Sequence, residues 1–366
     1  MKKSTRFVSV LMAAAVTVSL AACGNGDTGS KASDAGSASD AGASADAGSA
    51  TPDAGTEASV PDGGQNTAPA DGKVYNIGIL QQLEHPALDS ATEGFKDALT
   101  ELLGEDGVTF EVQNAQGEPA NCSSIASTFV SGDYDLILAN ATTALQCASA
   151  ATSTIPVLGT SVTDYATALE IDDWSGATGK NVSGTSDLAP LDQQEDMLLE
   201  LFPDAKTVGI LYCSAEPNSV YQANEFQKYL DEDGIAYKVY TAADSNDINA
   251  VVQNAISEVD VIYIPTDNTM ANNTETINNI TLPAGIPVIT GEEGMCAGCG
   301  VATLSISYYD IGYKAGEMAY DILVNGSDIT TMNIEYAPNV TKKYNAEICG
   351  QLNIQIPDDY TAIETE

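Results

Sequence analysis

The chain has few basic residues for its length of 366 residues. It carries 13 lysine and arginine residues against 52 aspartate and glutamate residues, and its formal net charge at pH 7 is -39. A chain this acidic is repelled by nucleic-acid phosphates, so nucleic acid is not expected among its partners. It is also repelled by anionic lipid, so any membrane contact requires a dedicated anchor.

Histidine is scarcer still, because His85 is the sole histidine of the sequence. A histidine-rich metal cluster and a relay between two histidines are both excluded by this count. The sequence also lacks a nucleophile elbow, a phosphate-binding loop and a regular metal-ligand spacing. We therefore expect no enzyme activity, no cofactor and no metal.

The apolar run at the N-terminus, residues 7–20, is too short to span a bilayer comfortably. It follows a basic start and is closed by Leu20-Ala21-Ala22 and then Cys23. This order resembles a bacterial lipoprotein signal, which implies that residues 1–22 are cleaved and that Cys23 is lipidated. The alternative is an ordinary signal peptide with an incidental cysteine. The expected location is the extracytoplasmic face of the cell membrane, where the lipid on Cys23 anchors the protein.

The segment after Cys23 has almost no large apolar side chains. Residues 24–72 are mainly alanine, serine, glycine and aspartate. Such a composition cannot bury enough apolar surface to offset the entropy lost on ordering, so we predict a disordered linker over residues 23–72 that includes the lipidated cysteine.

The rest of the chain alternates between strand and helix patterns. Its apolar strands are nearly continuous, which is typical of a parallel sheet covered on both faces, and the composition is globular with 43% hydrophobic residues. Strands are predicted at 76–80, 109–113, 135–139, 156–158, 208–212, 236–240, 261–264, 287–289 and 301–304. Helices are predicted at 88–103, 122–130 (begun after Pro119), 142–151, 190–201, 218–230, 247–257, 269–279 and 308–323, followed by a strand-rich tail over 344–354.

A shift of 131 residues brings one half of this pattern onto the other. It carries Pro86 onto Pro217, Phe95 onto Phe226 and Ile155-Pro156-Val157 onto Ile286-Pro287-Val288. The fold class predicted is therefore α/β, with two Rossmann-like lobes that each contain a parallel sheet and are joined by a hinge. Two such lobes whose strand tips face each other form a ligand clamp.

The predicted lobes are discontinuous in sequence. The N-terminal lobe is expected to span 73–184, with about 305–335 returning to it, and the C-terminal lobe to span 185–304 with about 336–366.

Six motifs occur in order along this body: Gln82–Asp89, Asn114–Gly117, Gly159–Asp164, Asn181–Asp187, Glu216–Ser219 and Pro265–Thr269. In sequence and spacing they resemble the substrate-binding lipoproteins of ABC importers with the type I periplasmic-binding-protein fold, in the group that binds aromatic amino acids. The resemblance covers roughly residues 74–360. It implies an amino-acid ligand, an ABC permease and its ATPase as partners. Tyr165 and Cys213 depart from the residues usual in this family, where proline and asparagine are common.

In a sheet of this kind the ligand binds beyond the carboxyl ends of the strands, against helix N-termini. In the first lobe the hydroxyls and amides at the start of a helix favour a ligand carboxylate, although plain helix capping uses the same groups. The candidate contacts in this lobe are Gln82, Glu84, Thr142, Thr143, Ser161 and Thr163.

In the second lobe we expect an acid to bind the ligand ammonium, because a desolvated charge pair discriminates against uncharged ligands. Asp267 is favoured over Glu216, and either Asn268 or Asn218 is expected to add a neutral hydrogen bond. Capping is again the structural alternative. The candidates for contact with the ligand side chain are Tyr165, Tyr212 and Tyr308.

Two further alternatives are open at this point. The same fold serves nucleoside and sugar binders. An enzyme in which His85 and Glu84 act as base and acid is a competitor from another class.

Six cysteines follow Cys23: Cys122, Cys147, Cys213, Cys296, Cys299 and Cys349. They are expected to be disulfides or free thiols rather than zinc ligands, although Cys296, Cys299 and two others are a possible zinc set. The sequence does not determine their connectivity.

Overall fold

The computed structural model of the protein describes residues 72–364. The predicted signal peptide, Cys23 and nearly all of the predicted linker lie outside the described residues. None of the helices within 72–364 has the length and apolar character that crossing a membrane requires.

Strands and helices alternate along most of this part of the chain. The strands are β1 (Tyr75–Gln81), β2 (Val108–Asn114), β3 (Leu136–Asn140), β4 (Val157–Val162), β5 (Val182–Ser186), β6 (Thr207–Cys213), β7 (Ala236–Ala242), β8 (Val261–Ile264), β9 (Val288–Thr290), β10 (Ala302–Ser305), β11 (Glu335–Tyr336), β12 (Thr341–Tyr344) and β13 (Thr361–Ala362). The helices are α1 (Pro86–Leu103), α2 (Pro119–Ser131), α3 (Thr142–Ala151), α4 (Tyr165–Ala168), α5 (Leu191–Leu201), α6 (Pro217–Asp233), α7 (Ile248–Ala255), α8 (Asn268–Ala271), α9 (Thr274–Ala284), α10 (Glu293–Cys299), α11 (Tyr308–Leu323) and α12 (Ala346–Leu352), with a 3-10 turn at Ile329–Thr331.

The first sheet has the strand order β11-β5-β4-β3-β1-β2, and its paired neighbours are all parallel. Every residue of β3, β4 and β5 is buried, because helices cover both faces of the sheet. Separate apolar clusters lie on the two faces, one around Phe129 and the other around Phe95. This sheet extends to Ser186, past the predicted lobe boundary at residue 184.

The second sheet has the strand order β13-β12-β10-β9-β8-β6-β7. Its pairs are parallel except for β12, which runs antiparallel to β10. The chain passes between the sheets three times, after β5, β10 and β11. The predicted fold class, two α/β lobes with mainly parallel sheets, is therefore confirmed.

The internal repeat has a direct structural counterpart. Pro86 and Pro217 each occupy the first turn of a helix, where the missing amide hydrogen of proline costs nothing. Phe95 and Phe226 lie in the following turns, and both are fully buried against their own sheets. The order β1–α1 is thus repeated as β6–α6.

The C-terminal tail differs from the prediction. Residues 344–354 were expected to be rich in strand, but Ala346–Leu352 is the helix α12. Asn345 caps this helix, because its side-chain oxygen accepts hydrogen bonds from the amides of Glu347 and Ile348. The predicted helix over 269–279 is also divided, since α8 ends at Ala271 and α9 begins at Thr274.

Helices α1 and α11 approach each other closely through glycines on both sides. A Cβ atom on Gly312 would lie 2.0 Å from the carbonyl oxygen of Ala91, and one on Gly94 would lie 2.2 Å from that of Tyr309. These obstacles are backbone atoms, which cannot rotate away. The packing of α11 on the first lobe therefore depends on glycine at these positions.

We predict that Gly312→Ala lowers the free energy of unfolding by about 1–3 kcal/mol, since the added methyl group must push the helices apart. Gly350→Ala is the control, because no atom lies within 4 Å of its new Cβ and α12 continues through it. That change should be neutral or stabilising by about 0.5–1 kcal/mol. Thermal unfolding followed by circular dichroism measures both, and equal melting temperatures for the two variants would contradict the prediction.

Candidate functional site

The carboxyl ends of the strands of both sheets face a shared cavity. Only about 10 Å³ of it is open to a water-sized molecule, so the cavity has room for little more than one water. The residues that line it are His85, Leu88, Ser161, Asp187, Asn218, Thr266, Asp267, Asn268, Ala271, Glu292 and Tyr308. A ligand of amino-acid size therefore needs the lobes to separate before it can enter.

Two hydrogen bonds connect the lobes at this cavity. Asn268 Nδ2 donates to Glu216 Oε2 at 2.6 Å, which orients the Asn268 amide so that its Oδ1 accepts from His85 Nε2 at 3.1 Å. Gln222 Nε2 donates to Thr163 Oγ1 at 3.5 Å. Because Asn268 Oδ1 is the acceptor, His85 carries its proton on Nε2. Burial lowers the pKa of the His85 ring below the usual value.

Glu216 is fully engaged by protein donors. Its carboxylate accepts hydrogen bonds from the amide and side chain of Asn268 and from the amide and hydroxyl of Thr269, at distances from 2.6 to 3.1 Å. It therefore caps the short helix α8. Glu216 is not among the residues that line the cavity, although it holds Asn268 in place there.

Asp267 lines the cavity and is 1% exposed. Its Oδ1 accepts from the amide of Met270 at 2.8 Å, and its Oδ2 accepts from the amide of Cys213 at 2.6 Å. Burial, and then the charge of Glu216, raise the pKa of Asp267 from the ordinary value of 3.8 to about 8. The residue that we predicted as the ammonium partner is thus a helix cap, and its carboxylate also lines the cavity.

Two more buried acids line the cavity, and sequence reasoning did not assign either. Asp187 accepts hydrogen bonds from the hydroxyls of Thr163 at 2.9 Å and Tyr308 at 3.0 Å. Glu292 accepts from the amides of Gly294 and Met295 at the start of α10. Burial raises the pKa of Asp187, and it raises the pKa of Glu292 to about 7. Glu292 lies just after β9. The rule that ligands bind beyond the carboxyl ends of the strands, which led to Asp267, was therefore sufficient to identify Glu292 as well.

Three neighbouring strand tips of the first lobe carry unsatisfied polar atoms. Gln82 Oε1, Thr142 Oγ1 and Ser161 Oγ are buried and have no hydrogen-bond partner within residues 72–364. Gln82 and Thr142 follow β1 and β3, and Ser161 is the penultimate residue of β4. These three strands are adjacent in the sheet, so the groups lie side by side at its carboxyl end. Thr143 beside them is half-buried, whereas the hydroxyl of Thr163 is committed to Asp187.

The backbone at the same edge is unusual. Ala141 has φ 90° and Ser161 has φ 55°, in the region that favours glycine. Strained non-glycine residues and orphaned polar atoms cost free energy, and they cluster at ligand sites. This edge therefore has the character of a binding surface rather than of simple helix capping.

The structure corrects two predicted contacts. Glu84 is exposed and lies in an outer groove with Asp89 and Lys96, away from the cavity. Tyr165 is fully buried in the core of the first lobe, where its hydroxyl donates to the carbonyl oxygen of Thr185 at 3.0 Å. Its ring occupies space left by Gly159, whose added Cβ would lie 2.4 Å from the Tyr165 hydroxyl.

The other two tyrosine candidates lie in different parts of the structure. Tyr308 lines the cavity, whereas Tyr212 lies in the core of the second lobe. His85 lies at the cleft, but Glu84 does not, so the two side chains do not form the acid–base pair required by the enzyme alternative. In residues 72–364, no group of three or more histidine, cysteine, aspartate or glutamate side chains is arranged to hold a metal ion.

Two α/β lobes that close on a buried polar cavity define the class of two-lobed solute-binding proteins. Residues 76–366 match the family described as ABC transporter substrate binding protein. A tyrosine-binding protein of Clostridioides difficile is 35% identical over 267 residues, which cover 71% of this chain and 77% of that protein. The chain belongs to the ABC transporter substrate-binding family.

Solved structures agree with this assignment. An ABC domain from Streptococcus pneumonia in complex with L-Trp is 30% identical, with a TM-score of 0.75, and the match covers 78% of this chain and 97% of that chain. The ligand-free, open structure of a substrate-binding protein with adhesive properties from Clostridium difficile is 34% identical, with a TM-score of 0.62 over 80% of this chain and 100% of that chain. A leucine-binding protein from Thermotoga maritima is 16% identical, has a TM-score of 0.53 over 70% of this chain and 84% of that chain, and shows the type I periplasmic-binding-protein fold alone.

The raised pKa of Asp267 predicts how stability depends on pH. Between about pH 4 and pH 8 the folded protein keeps a proton that the unfolded chain has lost, so the free energy of unfolding falls as pH rises through this window. Asp187 and Glu292 act in the same direction. The lowered pKa of His85 acts in the opposite direction below about pH 6.5. We therefore expect the melting temperature of the ligand-free protein to decrease between about pH 6.5 and pH 8 at constant ionic strength.

Asp267→Asn is the matched variant for this measurement. It removes the titrating group, so its melting temperature should depend less steeply on pH than that of the wild type. The same slope in both proteins would show that Asp267 has an ordinary pKa. A lower melting temperature at all pH values is expected in addition, because asparagine cannot accept from both backbone amides with its two side-chain atoms.

Proposed function

We propose that the protein is the extracytoplasmic substrate-binding lipoprotein of an ABC importer and that it captures an aromatic amino acid. The observation that carries this proposal is a closed interlobe cavity lined by three buried carboxyl groups, with no lysine or arginine among the described residues that line it. A cationic group on the ligand would supply the positive charge that balances these carboxylates. The tyrosine-binding relative and the L-Trp complex support an aromatic amino acid.

The ligand ammonium is assigned to Asp267, with Asp187 on the facing side. Both carboxyl groups line the cavity, and each has raised pKa because burial is not offset by a cation. An ammonium group placed between them favours their ionised forms and forms charge-assisted hydrogen bonds. Glu216 instead positions Asn268 and caps α8.

The ligand carboxylate is assigned to the first lobe. Within residues 72–364 the buried hydroxyls of Thr142 and Ser161 have no hydrogen-bond partner, and no side chain caps the first amides of α3. These donors suit an anion, whereas the carboxyl groups of Asp267 and Asp187 suit a cation. A zwitterion therefore fits the cleft with its carboxylate at these donors and its ammonium between the two acids.

The ligand side chain is assigned to the remaining apolar surface of the cavity. Leu88, Ala271 and the ring of Tyr308 line it. Aromatic and aliphatic groups of this kind accept a planar ring without requiring a polar partner.

The family and the N-terminal sequence support the proposed delivery step and location. Members of a substrate-binding family of ABC transporters present their ligand to a membrane permease that an ATPase drives. The lipid proposed on Cys23 anchors the protein at the extracytoplasmic face of the cell membrane, and the linker over residues 23–72 gives the lobes freedom to reach the permease.

A ligand screen tests this function. Unfolding and refolding removes any copurified ligand, after which thermal shift is measured with amino acids, nucleosides and sugars. A ligand at 100 times its dissociation constant stabilises the folded state by about 2.7 kcal/mol, so tyrosine, tryptophan or phenylalanine should raise the melting temperature clearly. A shift with a nucleoside or sugar and none with any amino acid would favour that alternative and overturn the proposal.

Substitution of the cavity acids tests the ammonium site. We expect Asp267→Asn to weaken amino-acid binding at least about thirtyfold in calorimetric titration, because the ligand cation then lies desolvated without its partner. Asp187→Asn should also weaken binding, with little change in melting temperature. Its partners are two hydroxyls, which can accept hydrogen bonds as well as donate them.

Glu84→Gln is the matched control, because it removes an acid that also follows the carboxyl end of a strand but lies outside the cavity. Its affinity should equal that of the wild type. Normal binding by Asp267→Asn together with lost binding by Glu216→Gln would show that Glu216 is the ammonium partner.

A further inference from the structure

Two cysteines of the first lobe lie side by side on neighbouring helices. Cys122 is in the first turn of α2, and Cys147 is in the middle of α3. Both side chains belong to one apolar cluster, with Cys122 inside it and Cys147 packed against it, and both are free thiols in this structure. The hydroxyl of Ser123 lies 3.6 Å from Cys147 Sγ.

The two thiols differ in accessibility. Cys122 is 1% exposed within the apolar cluster that covers one face of the first sheet, whereas Cys147 is half-buried at the edge of the same cluster. A hydrogen bond from the Cys122 thiol, and a weaker contribution from Ser123, lower the pKa of Cys147. Cys147 is therefore the thiol that an external reagent reaches, and it is also the better nucleophile of the pair.

The remaining cysteines lack this arrangement. Cys213, Cys296, Cys299 and Cys349 are all buried in the second lobe. Burial raises the pKa values of their thiols. An external oxidant has no exposed thiolate to react with there.

We propose that Cys122 and Cys147 form a reversible disulfide by exchange with a low-molecular-weight disulfide, and that Cys147 reacts first. The Cys147 thiolate attacks one sulfur of the small disulfide and releases one thiol, which leaves a mixed disulfide on Cys147. Cys122 then loses its proton and attacks Cys147 Sγ, which releases the second thiol. Two protein thiols are oxidised and one small disulfide is reduced to two thiols.

The bond would connect α2 to α3, the helix whose first residue, Thr142, lies at the proposed ligand edge. Cross-linking residues 122 and 147 restricts the unfolded chain more than the folded one, so the oxidised first lobe should be more stable. The proposal does not depend on the identity of the ligand.

The test uses the reduced, purified protein incubated with oxidised glutathione, followed by peptide mapping without reduction. The expected product is a single cross-link between the peptides that contain Cys122 and Cys147. The melting temperature of the oxidised protein should rise by several degrees, and reduction should reverse both changes.

The cysteine variants test the order of attack. Cys122→Ser should stop at a stable glutathione adduct on Cys147, whereas Cys147→Ser should give neither an adduct nor a cross-link in the first lobe. Cys349→Ser is the matched control, since it removes a buried cysteine of the second lobe and should still give the cross-link. Circular dichroism confirms that each variant is folded before oxidation.

Three results would overturn the proposal. The first is a folded, fully reduced protein after incubation at high oxidant concentration. The second is a cross-link confined to the cysteines of the second lobe. The third is an adduct on Cys122 in the Cys147→Ser variant, which would reverse the proposed order.

Discussion

The burial of carboxyl groups without a basic partner is the constraint on which the rest of this cleft depends. An isolated ionised carboxylate in an apolar interior is costly, so each acid must find donors or remain protonated. Glu216 finds four strong donors at the start of α8. Asp267 finds two backbone amides and Asp187 finds two hydroxyls, and in both cases the pKa stays raised. The short helix α8 forms at this place because Glu216 and Asp267 accept hydrogen bonds from its first amides.

The same constraint links closure of the lobes to the ligand. Asp267 and Asp187 are buried in this structure, and separation of the lobes would expose them to water. The His85–Asn268 contact would offset only part of this difference, since one neutral hydrogen bond contributes about 0.5–1.5 kcal/mol. Under the proposed function, a ligand cation between the two acids would change the balance much more. Ligand binding and lobe closure would then be coupled through desolvation, with no need for a separate trigger.

Local pattern in the sequence was sufficient to predict most of the architecture. The strands are nearly continuous apolar runs and the helices begin at proline or a polar cap, so their order and the repeat of β1–α1 in β6–α6 could be found from periodicity alone. The tail was mistaken because α12 has only seven residues, and its one clear signal is the cap Asn345. In a helix this short, apolar residues do not establish a period that differs from that of a strand.

The site was harder to predict because it depends on which side chains share a space. Asp267 and Ser161 follow from the strand-tip rule, but the rule does not say that Tyr165 turns into the core. That choice is made by Gly159 and Gly184, which leave room for the tyrosine ring and are distant from each other in sequence. Asp187 was missed for a similar reason. Its place in the cavity can be recognised only from the fold, which brings Tyr308 from a distant part of the sequence to donate a hydrogen bond to it.

Under the proposed function, the acids and the donors of the cavity are prepared for the ligand in different ways. Asp267 and Asp187 already have hydrogen bonds, so a ligand would add charge compensation to groups whose positions are fixed. The side-chain hydroxyls of Thr142 and Ser161 have no partner within residues 72–364, and the backbone is held in strained conformations at Ala141 and Ser161. There a ligand would supply the hydrogen bonds themselves. A ligand that satisfies only the acids or only these donors would leave the other set with its penalty, so a closed complex would select for molecules that carry both an ammonium and a carboxylate group.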